Sequence, residues 1–419
     1  MRHRWVICSL LFAGATINYI DRQVLAVLKP TLQAQLGWSE IGYGNIVTAF
    51  QAAYAVGMLG VGRFIDRVGT RRGLGSTAAF WAVATMAHAA DTSVLGFSLA
   101  RVALGLGEAG MFPAAGKAVA EWFPPRERAF ATGLFNSGTN VGPILCPLLA
   151  PWLVATVGWR GTFVAMGALA LLWIAPWLAA YRPPELDPRV SPEELRALRG
   201  DGPPAAARLP WRALLTHRQA WAIALGKLIT DPIWWLYLFW IPDFLHRNHG
   251  LDLKRLGPPL VTIYFLSFFG GIGGGWLSSR LIHRGWSTNA ARKTTMLVAA
   301  LAVLPILGAA HTTSLWTAVG LIGLAVGGHQ AFSANLLTLP SDLFPLSSVA
   351  SMMGIGGMGG AIGGIVIAQT AGHILQVTGS YHALFVMAAS AYLVALAVIQ
   401  LLTPRLVPVV VRAPARGAP

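Results

Sequence analysis

Charge is scarce in this chain. Only 11% of its 419 residues are Asp, Glu, Lys or Arg, where a soluble globular protein carries about 25%. With 55% hydrophobic residues and a mean hydropathy of +0.59, that shortage excludes a soluble fold and a disordered chain. Cysteine is nearly absent too. Cys8 and Cys146 both sit inside apolar stretches, so they form no disulfide framework and have no metal-ligand spacing; no metal site is expected. Acid is scarcer than base, with 16 Asp+Glu against 31 Lys+Arg and a net charge of +15. In a soluble protein that excess would point to nucleic acid, so the placement of the cations has to be read first. HExxH, GxSxG and Walker patterns are missing, and no stretch has the composition of an added soluble domain. A membrane enzyme or sensor is therefore disfavoured.

What the chain has is apolar runs. A bilayer core needs about 20 apolar residues per helix, and about twelve such stretches occur, near 4–28, 45–66, 73–91, 94–119, 130–153, 160–181, 219–246, 257–281, 293–311, 314–339, 347–374 and 380–403. The first lacks a small-residue cleavage site and contains Asp21 and Arg22, so it is expected to stay as a helix rather than be removed. The fold class follows: an all-α integral membrane protein. If the N-terminus and every second loop share one side, that side holds 22 of the 31 cations. The opposite side holds 5 (Lys29, Arg160, Arg247, Lys254 and Arg255), and Arg22, Arg101, Lys117 and Lys227 fall inside helices. Cationic loops mark the cytoplasmic side. Both termini are expected there, the basic excess is topological, and no nucleic-acid partner is expected. One long polar loop, 182–218, is rich in Pro and charge and divides six helices from six. It reads as a cytoplasmic linker between bundles 1–181 and 219–419, with a short surface helix over SPEELRAL.

The halves carry a weak repeat. GRFIDRVGTRR follows the second helix, and GWLSSRLIHRG follows the eighth; both keep Gly, three residues, a polar residue and Arg, although the second copy lacks the acid. Two six-helix halves with a site between them is an architecture of secondary transporters. The first copy resembles the loop signature of the major facilitator superfamily, Gly-x-x-x-Asp-Arg-x-Gly-Arg-Arg, at Gly62, Asp66, Arg67, Gly69, Arg71 and Arg72. Within it, NYIDRQVLAVLKPTL at 18–32 resembles helix 1 of the anion:cation symporters. TDPIWWLYLFWIPDFL at 230–245 and HQAFSANLLTLPSDLFP at 329–345 are similar to the bacterial hexuronate transporters. The resemblance implies twelve helices in two bundles, alternating access, and proton-coupled import of a sugar-acid anion such as glucuronate or galacturonate. It also implies a monomer in the bacterial inner membrane, with galactonate transporters as near relatives and protons in place of any cofactor.

Ionised groups at membrane depth cost roughly 2.5–3.5 kcal/mol each, so they need partners. The first half has Asp21 and Arg22 on helix 1 and Arg101 and Glu108 on helix 4. Arg101 and Glu108 lie two turns apart on one face, about 10 Å of rise, and cannot pair closely with each other. An arginine fork fits a carboxylate with two hydrogen bonds. A substrate carboxylate at Arg22 or Arg101 would compete with Asp21 or Glu108, and the displaced acid would take a proton. The resemblance assigns carboxylate binding to Arg22 and protonation to Asp21 and Glu108, leaving Arg101 as gate or anion partner. A fixed ion network holding helices 1 and 4 together is the bland alternative.

Neutral groups would serve hydroxyls. Tyr19 lies one turn from Arg22, Gln51 and Tyr54 share a face of helix 2, and Asn136, Thr139 and Asn140 form a polar stripe on helix 5. The resemblance places Tyr19, Tyr54 and the Thr139–Asn140 region near substrate. On helix 7, Lys227 and Asp231 have ion-pair spacing; Pro232 removes a backbone bond; Trp234, Trp235, Tyr237 and Trp240 form a platform for a sugar ring or simply pack. Asp231 is a further candidate for proton coupling. Gln330, Ser333 and Asn335 on helix 10 could close the site from the second half, while His329 reads as structural. The glycines of 354–364 suit close packing of helix 11. Asp66 and Arg67 are expected to act in a cytoplasmic gate. Two readings compete with hexuronate symport: another organic anion, such as an aldonate or aldarate, and a proton-driven exporter. The latter rests on a partial helix 5 match at Gly138, Gly142 and Pro143, where Cys146 and Pro147 depart from the pattern and the intramembrane arginines fit an anion better.

Overall fold

The computed structural model describes residues 3–123, 125–199, 211–344, 346–407 and 409. The described residues are almost entirely helical, in fourteen helices: α1 His3–Leu36, α2 Glu40–Val68, α3 Thr70–Ala87, α4 Val94–Glu108, α5 Met111–Trp122, α6 Pro125–Ala180, α7 Pro192–Arg199, α8 Trp211–Leu214, α9 Arg218–His249, α10 Gly257–His283, α11 Thr288–Val303, α12 Leu315–Leu343, α13 Leu346–Thr378 and α14 His382–Leu402. They make twelve transits. α4 and α5 together form the fourth. α6 holds the fifth and sixth, because its backbone leaves helical geometry at Gly158 (φ 69°). α11 and the 3-10 turns of Leu304–Ala310 form the ninth. The expected surface helix of the linker is α7, lying between the two sets of six.

Eight helical segments are long and apolar enough to cross a bilayer by length and composition alone, one of them, Leu134–Ala180, being the double transit of α6. α1 and α2 carry charged and polar residues that the fold buries: Asp21, Arg22 and Lys29 on α1, Glu40 and Gln51 on α2. Tertiary packing therefore supplies what hydropathy alone does not. Lys29, assigned to a loop from the sequence, lies inside α1 and is fully buried. The apolar run continues past it because the charge is paired, which moves the helix end to Leu36.

α1 packs along α6, α2 on α4, and α3 on α4 and α6; in the second half α10 lies against α12, α9 against α13 and α14, and α11 against α12. The halves touch through α2–α13, α6–α10 and α1–α9. The start of α1 and the end of α14 lie at one end of the bundle, called here the terminus face, and the buried core divides unevenly between the ends. At the far face it runs across both halves, joining Val24–Leu28, Tyr43, Ile46 and Cys146 to Trp240, Ile263, Ala368 and Ala371. Toward the terminus face the first half keeps a core of its own, including Ile7, Leu11, Ile65, Leu74 and Trp122, with no second-half residue among the described ones. Among the described residues the buried core thus joins the halves at the far face and leaves them separate toward the terminus face.

Glycine sets two of these approaches. A side chain at Gly44 would lie 2.9 Å from the Ala368 carbonyl oxygen, and one at Gly372 would lie 2.9 Å from that of Glu40, so α2 and α13 meet backbone to backbone. On α13, a Cβ at Gly359 or Gly363 would lie 2.5 Å from the carbonyl oxygens of Ala224 and Leu228 on α9. Gly363→Val should force these helices apart at a cost of about 1–3 kcal/mol, read as a lower melting temperature in detergent; an unchanged melting temperature would show that α13 can shift freely.

Candidate functional site

The middle of the bundle holds a buried cluster of charges. Asp21, Arg22, Arg101 and Glu108 each have 1% exposure or less. Neighbours in sequence, Asp21 and Arg22 point to different partners, since successive helical residues are about 100° apart. Arg22 Nε donates to Glu108 Oε2 at 2.6 Å. Asp21 turns into the first half beside Thr85 of α3, and both its oxygens lack a hydrogen-bond partner. Arg101 also has no hydrogen-bond partner for any of its three guanidinium nitrogens. Its guanidinium lies 5.6 Å from the ring centre of Phe50. The expected separation of Arg101 from Glu108 holds: Glu108 belongs to Arg22. One fork position, Arg22 Nη2, and one acceptor, Glu108 Oε1, remain unused.

Aromatic rings enclose that pair. The Arg22 guanidinium lies 4.7 Å from the ring centre of Tyr19, 4.6 Å from Tyr54, 5.3 Å from Phe50 and 5.8 Å from Trp235. The first three belong to α1 and α2, and Trp235 comes from α9 of the other half. Such faces hold a cation by their quadrupoles and offer flat apolar surface. Gln51 is fully buried beside Trp235 and Gly364, with both amide atoms unpartnered.

The rest of the ring is polar. On α6, Asn140 accepts a 3.4 Å hydrogen bond from Gln330 of α12, crossing between the halves; Thr139 beside it is nearly buried. On α9, Lys227 Nζ and Asp231 Oδ2 pair at 2.7 Å as the spacing predicts. The cluster brings together, between two half-molecules, cationic forks, a buried acid, aromatic faces and unused amides.

The model of the Major Facilitator Superfamily matches residues 11–368. The chain belongs to that superfamily. This facilitator is 33% identical over 386 residues to the hexuronate transporter of Escherichia coli (strain K12), covering 90% of the chain and 88% of that protein. It is 30% identical over 413 residues to the D-galactonate transporter of Escherichia coli O6:H1, covering 96% of each. Its fold matches the crystal structure of a bacterial homologue of the human lysosomal transporter Spinster, in an inward-facing and occupied conformation, with a TM-score of 0.75 at 19% identity, over 96% of this chain and 97% of that one.

Some expected residues stand elsewhere in the facilitator. Trp234 stacks on His329 at 5.3 Å, and His329 Nδ1 bonds the Tyr392 hydroxyl at 2.8 Å, so His329 is structural as expected. Tyr237 is fully buried, and its hydroxyl has no hydrogen-bond partner among the described residues. Asn335 bonds the carbonyls of Gly274 and Ala331 and receives Arg292. It therefore ties α12 to α10 and α11 inside the second half. Ser333 is half-buried on α12. At the terminus face Arg67 is exposed at the end of α2, and the Asp66 side chain lies outside the described residues. Glu121 there accepts from Thr70 and Tyr181, while Arg292 pairs with Asp342 at 3.1 Å, each contact within one half.

The sequence reading missed a second charged cluster, at the far face. Lys29 of α1 bonds Glu40 Oε2 at 2.7 Å and Asp243 Oδ2 at 2.9 Å. Arg247 reaches Asp243 at 2.8 Å and also Glu40. Tyr381 donates to Asp243 at 2.5 Å, and Gln376 accepts from the Glu40 amide at 3.0 Å. Four charges from both halves thus form one neutral latch, Lys29 and Glu40 facing Asp243 and Arg247. The only sequence signal was Lys29, a cation in a run otherwise apolar enough to continue.

Proposed function

We propose that this facilitator imports a sugar-acid monoanion, a hexuronate such as glucuronate or galacturonate, together with protons by alternating access. The observation that carries the reading is the buried Arg22–Glu108 pair at 2.6 Å inside an aromatic cage shared by both halves. A substrate carboxylate that takes the Arg22 fork displaces Glu108. The carboxyl is left in a low dielectric without its cation and takes a proton. Anion and proton therefore favour each other's binding, a coupling free energy between two sites. A monoanion with one proton crosses without net charge. Proton loss lets Glu108 return to Arg22 and expel the anion, so the Arg22–Glu108 pairing is what the cycle requires after release. Asp21, buried between Thr85 and Arg101, is the second candidate for protonation, and a cycle that used two protons would carry net positive charge. Asp231, paired with Lys227 on its own helix, is a further candidate for proton coupling.

The charge count places the terminus face in the cytoplasm, so closure at the far face corresponds to an inward-facing state of a multi-pass inner-membrane protein. The names of the relatives, both sugar-acid transporters, support the substrate class.

The test is uptake of labelled glucuronate and galacturonate into proteoliposomes under an inward proton gradient. Wild type should accumulate at least one of them. Glu108→Gln should lose gradient-driven accumulation yet retain substrate exchange, because a permanently neutral side chain at 108 mimics the protonated state. Wild type moving neither acid would transfer the assignment to another organic anion, and a Glu108→Gln variant that accumulates normally would move the proton site to Asp21.

A further inference from the structure

Lys227, Asp231 and Trp235 are spaced four residues apart and share one face of α9. In step with them on α13 stand Gly356, Gly360 and Gly364, each meeting the α9 side chain at its own level. With no Cβ on α13, the flank of the ion pair stays clear: a side chain at Gly356 would come within 2.9 Å of Lys227 Cδ. The pair lies against α13, where a Cβ at Gly360 would meet the Asp231 carboxyl. It is also open where the first charge cluster is sealed, with side chains 14% and 19% exposed against 1% and 0% for Arg22 and Glu108.

We propose that Lys227 and Asp231 read the end of the substrate remote from its carboxylate, selecting monoacids with a hydroxylated far end over diacids. This rests on the carboxylate standing at Arg22. Trp235 touches the Arg22 cage at 5.8 Å, and Asp231 lies one turn further along α9, about 6 Å of rise. That is the scale of a single sugar ring. An ammonium and a carboxylate 2.7 Å apart give a donor and an acceptor side by side, and a vicinal diol bonds both without separating them. A second substrate carboxylate meets Asp231 as a like charge and must displace it from Lys227, so diacids are rejected by repulsion as well as by lost hydrogen bonds. The pair belongs to the second half and Arg22 to the first, so only a solute long enough to reach both bridges the halves.

The test measures binding of glucuronate and glucarate to the full-length protein in detergent, for wild type, Asp231→Asn, Asp231→Glu and Lys227→Gln, with melting temperatures beside them. Wild type should prefer glucuronate. Asp231→Asn should weaken glucuronate by about tenfold and strengthen glucarate, collapsing or inverting the ratio. Asp231→Glu, which keeps the charge, should preserve the preference even if Asp231→Asn fails to fold. Lys227→Gln should weaken both acids. A purely structural pair would lower both affinities in proportion, so an unchanged ratio in Asp231→Asn, or a wild type that prefers glucarate, overturns the proposal. Wild type binding neither acid instead overturns the sugar-acid reading on which it stands.

Discussion

Arg22→Ala should remove substrate binding, not merely slow transport. Truncating one member of a buried, hydrogen-bonded charge pair costs about 2–5 kcal/mol, and 3 kcal/mol is on the order of 100-fold in affinity. Arg22 is 1% exposed and Glu108 is its only hydrogen-bonded acid in the site. The variant therefore lacks the fork for the anion and leaves Glu108 without a counter-ion, a state it relieves by holding a proton. Exchange and gradient-driven uptake should both vanish, unlike in Glu108→Gln, where exchange survives. Arg22→Lys keeps a point charge but loses the planar fork and should bind at an intermediate level. Isothermal titration with glucuronate separates these outcomes, with a melting curve as the control for folding. An Arg22→Ala protein that binds within threefold of wild type would place the carboxylate at Arg101, whose guanidinium is equally buried and has no hydrogen-bond partner.

The second large effect is expected at the far face. The latch has a property that suits a gate: each half keeps an internal pair, Lys29–Glu40 at 2.7 Å and Arg247–Asp243 at 2.8 Å. Opening breaks the cross-pairs without stranding a charge, since each half leaves with one cation and one anion. Asp243→Asn upsets this balance. In the closed state Lys29 and Arg247 then share the single carboxylate of Glu40, and the Tyr381 hydroxyl loses its charged acceptor. Losing about 2 kcal/mol from the closed state shifts its population ratio by about 30-fold. Spin labels on Ile41 and Val377, exposed positions at the far ends of α2 and α13, would report it as a growing long-distance population. Unaltered distances would show that backbone packing at Gly44 and Gly372, and not the latch, holds that end closed.

Much of this was legible from composition and spacing. A shortage of charge with long apolar runs leaves few structures besides membrane helices, because a backbone in lipid must bond to itself. The same economy made the buried ions conspicuous: four charges within the first half's apolar runs had to be paired or functional. The Lys227–Asp231 pair was also readable, since one helix holds both ends and the four-residue spacing fixes their approach.

Other features required the fold. Nothing local tells whether Arg22 takes Asp21, Asp231 or Glu108, the last 86 positions away; helix rotation and the packing of α1 against its neighbours decide it. Asn335 looked like a site residue because polar side chains inside membrane helices have two uses, and only its bonds to Gly274 and Arg292 reveal which applies. Tyr237 differs from Trp235 by two residues, enough on a helix to exchange the cage for the second-half interior. The latch joins Glu40 to Arg247 across 207 positions and turns Lys29 from a loop cation into a buried one. The sequence by itself determined how many helices cross, which end of the molecule carries the positive charge, and that ions lie at membrane depth, because those depend on the cost of each residue in lipid. The tertiary structure alone decided which ions meet, which face is closed and which half supplies each wall of the site. Those depend on contacts between segments whose separation along the chain says nothing of their distance in space.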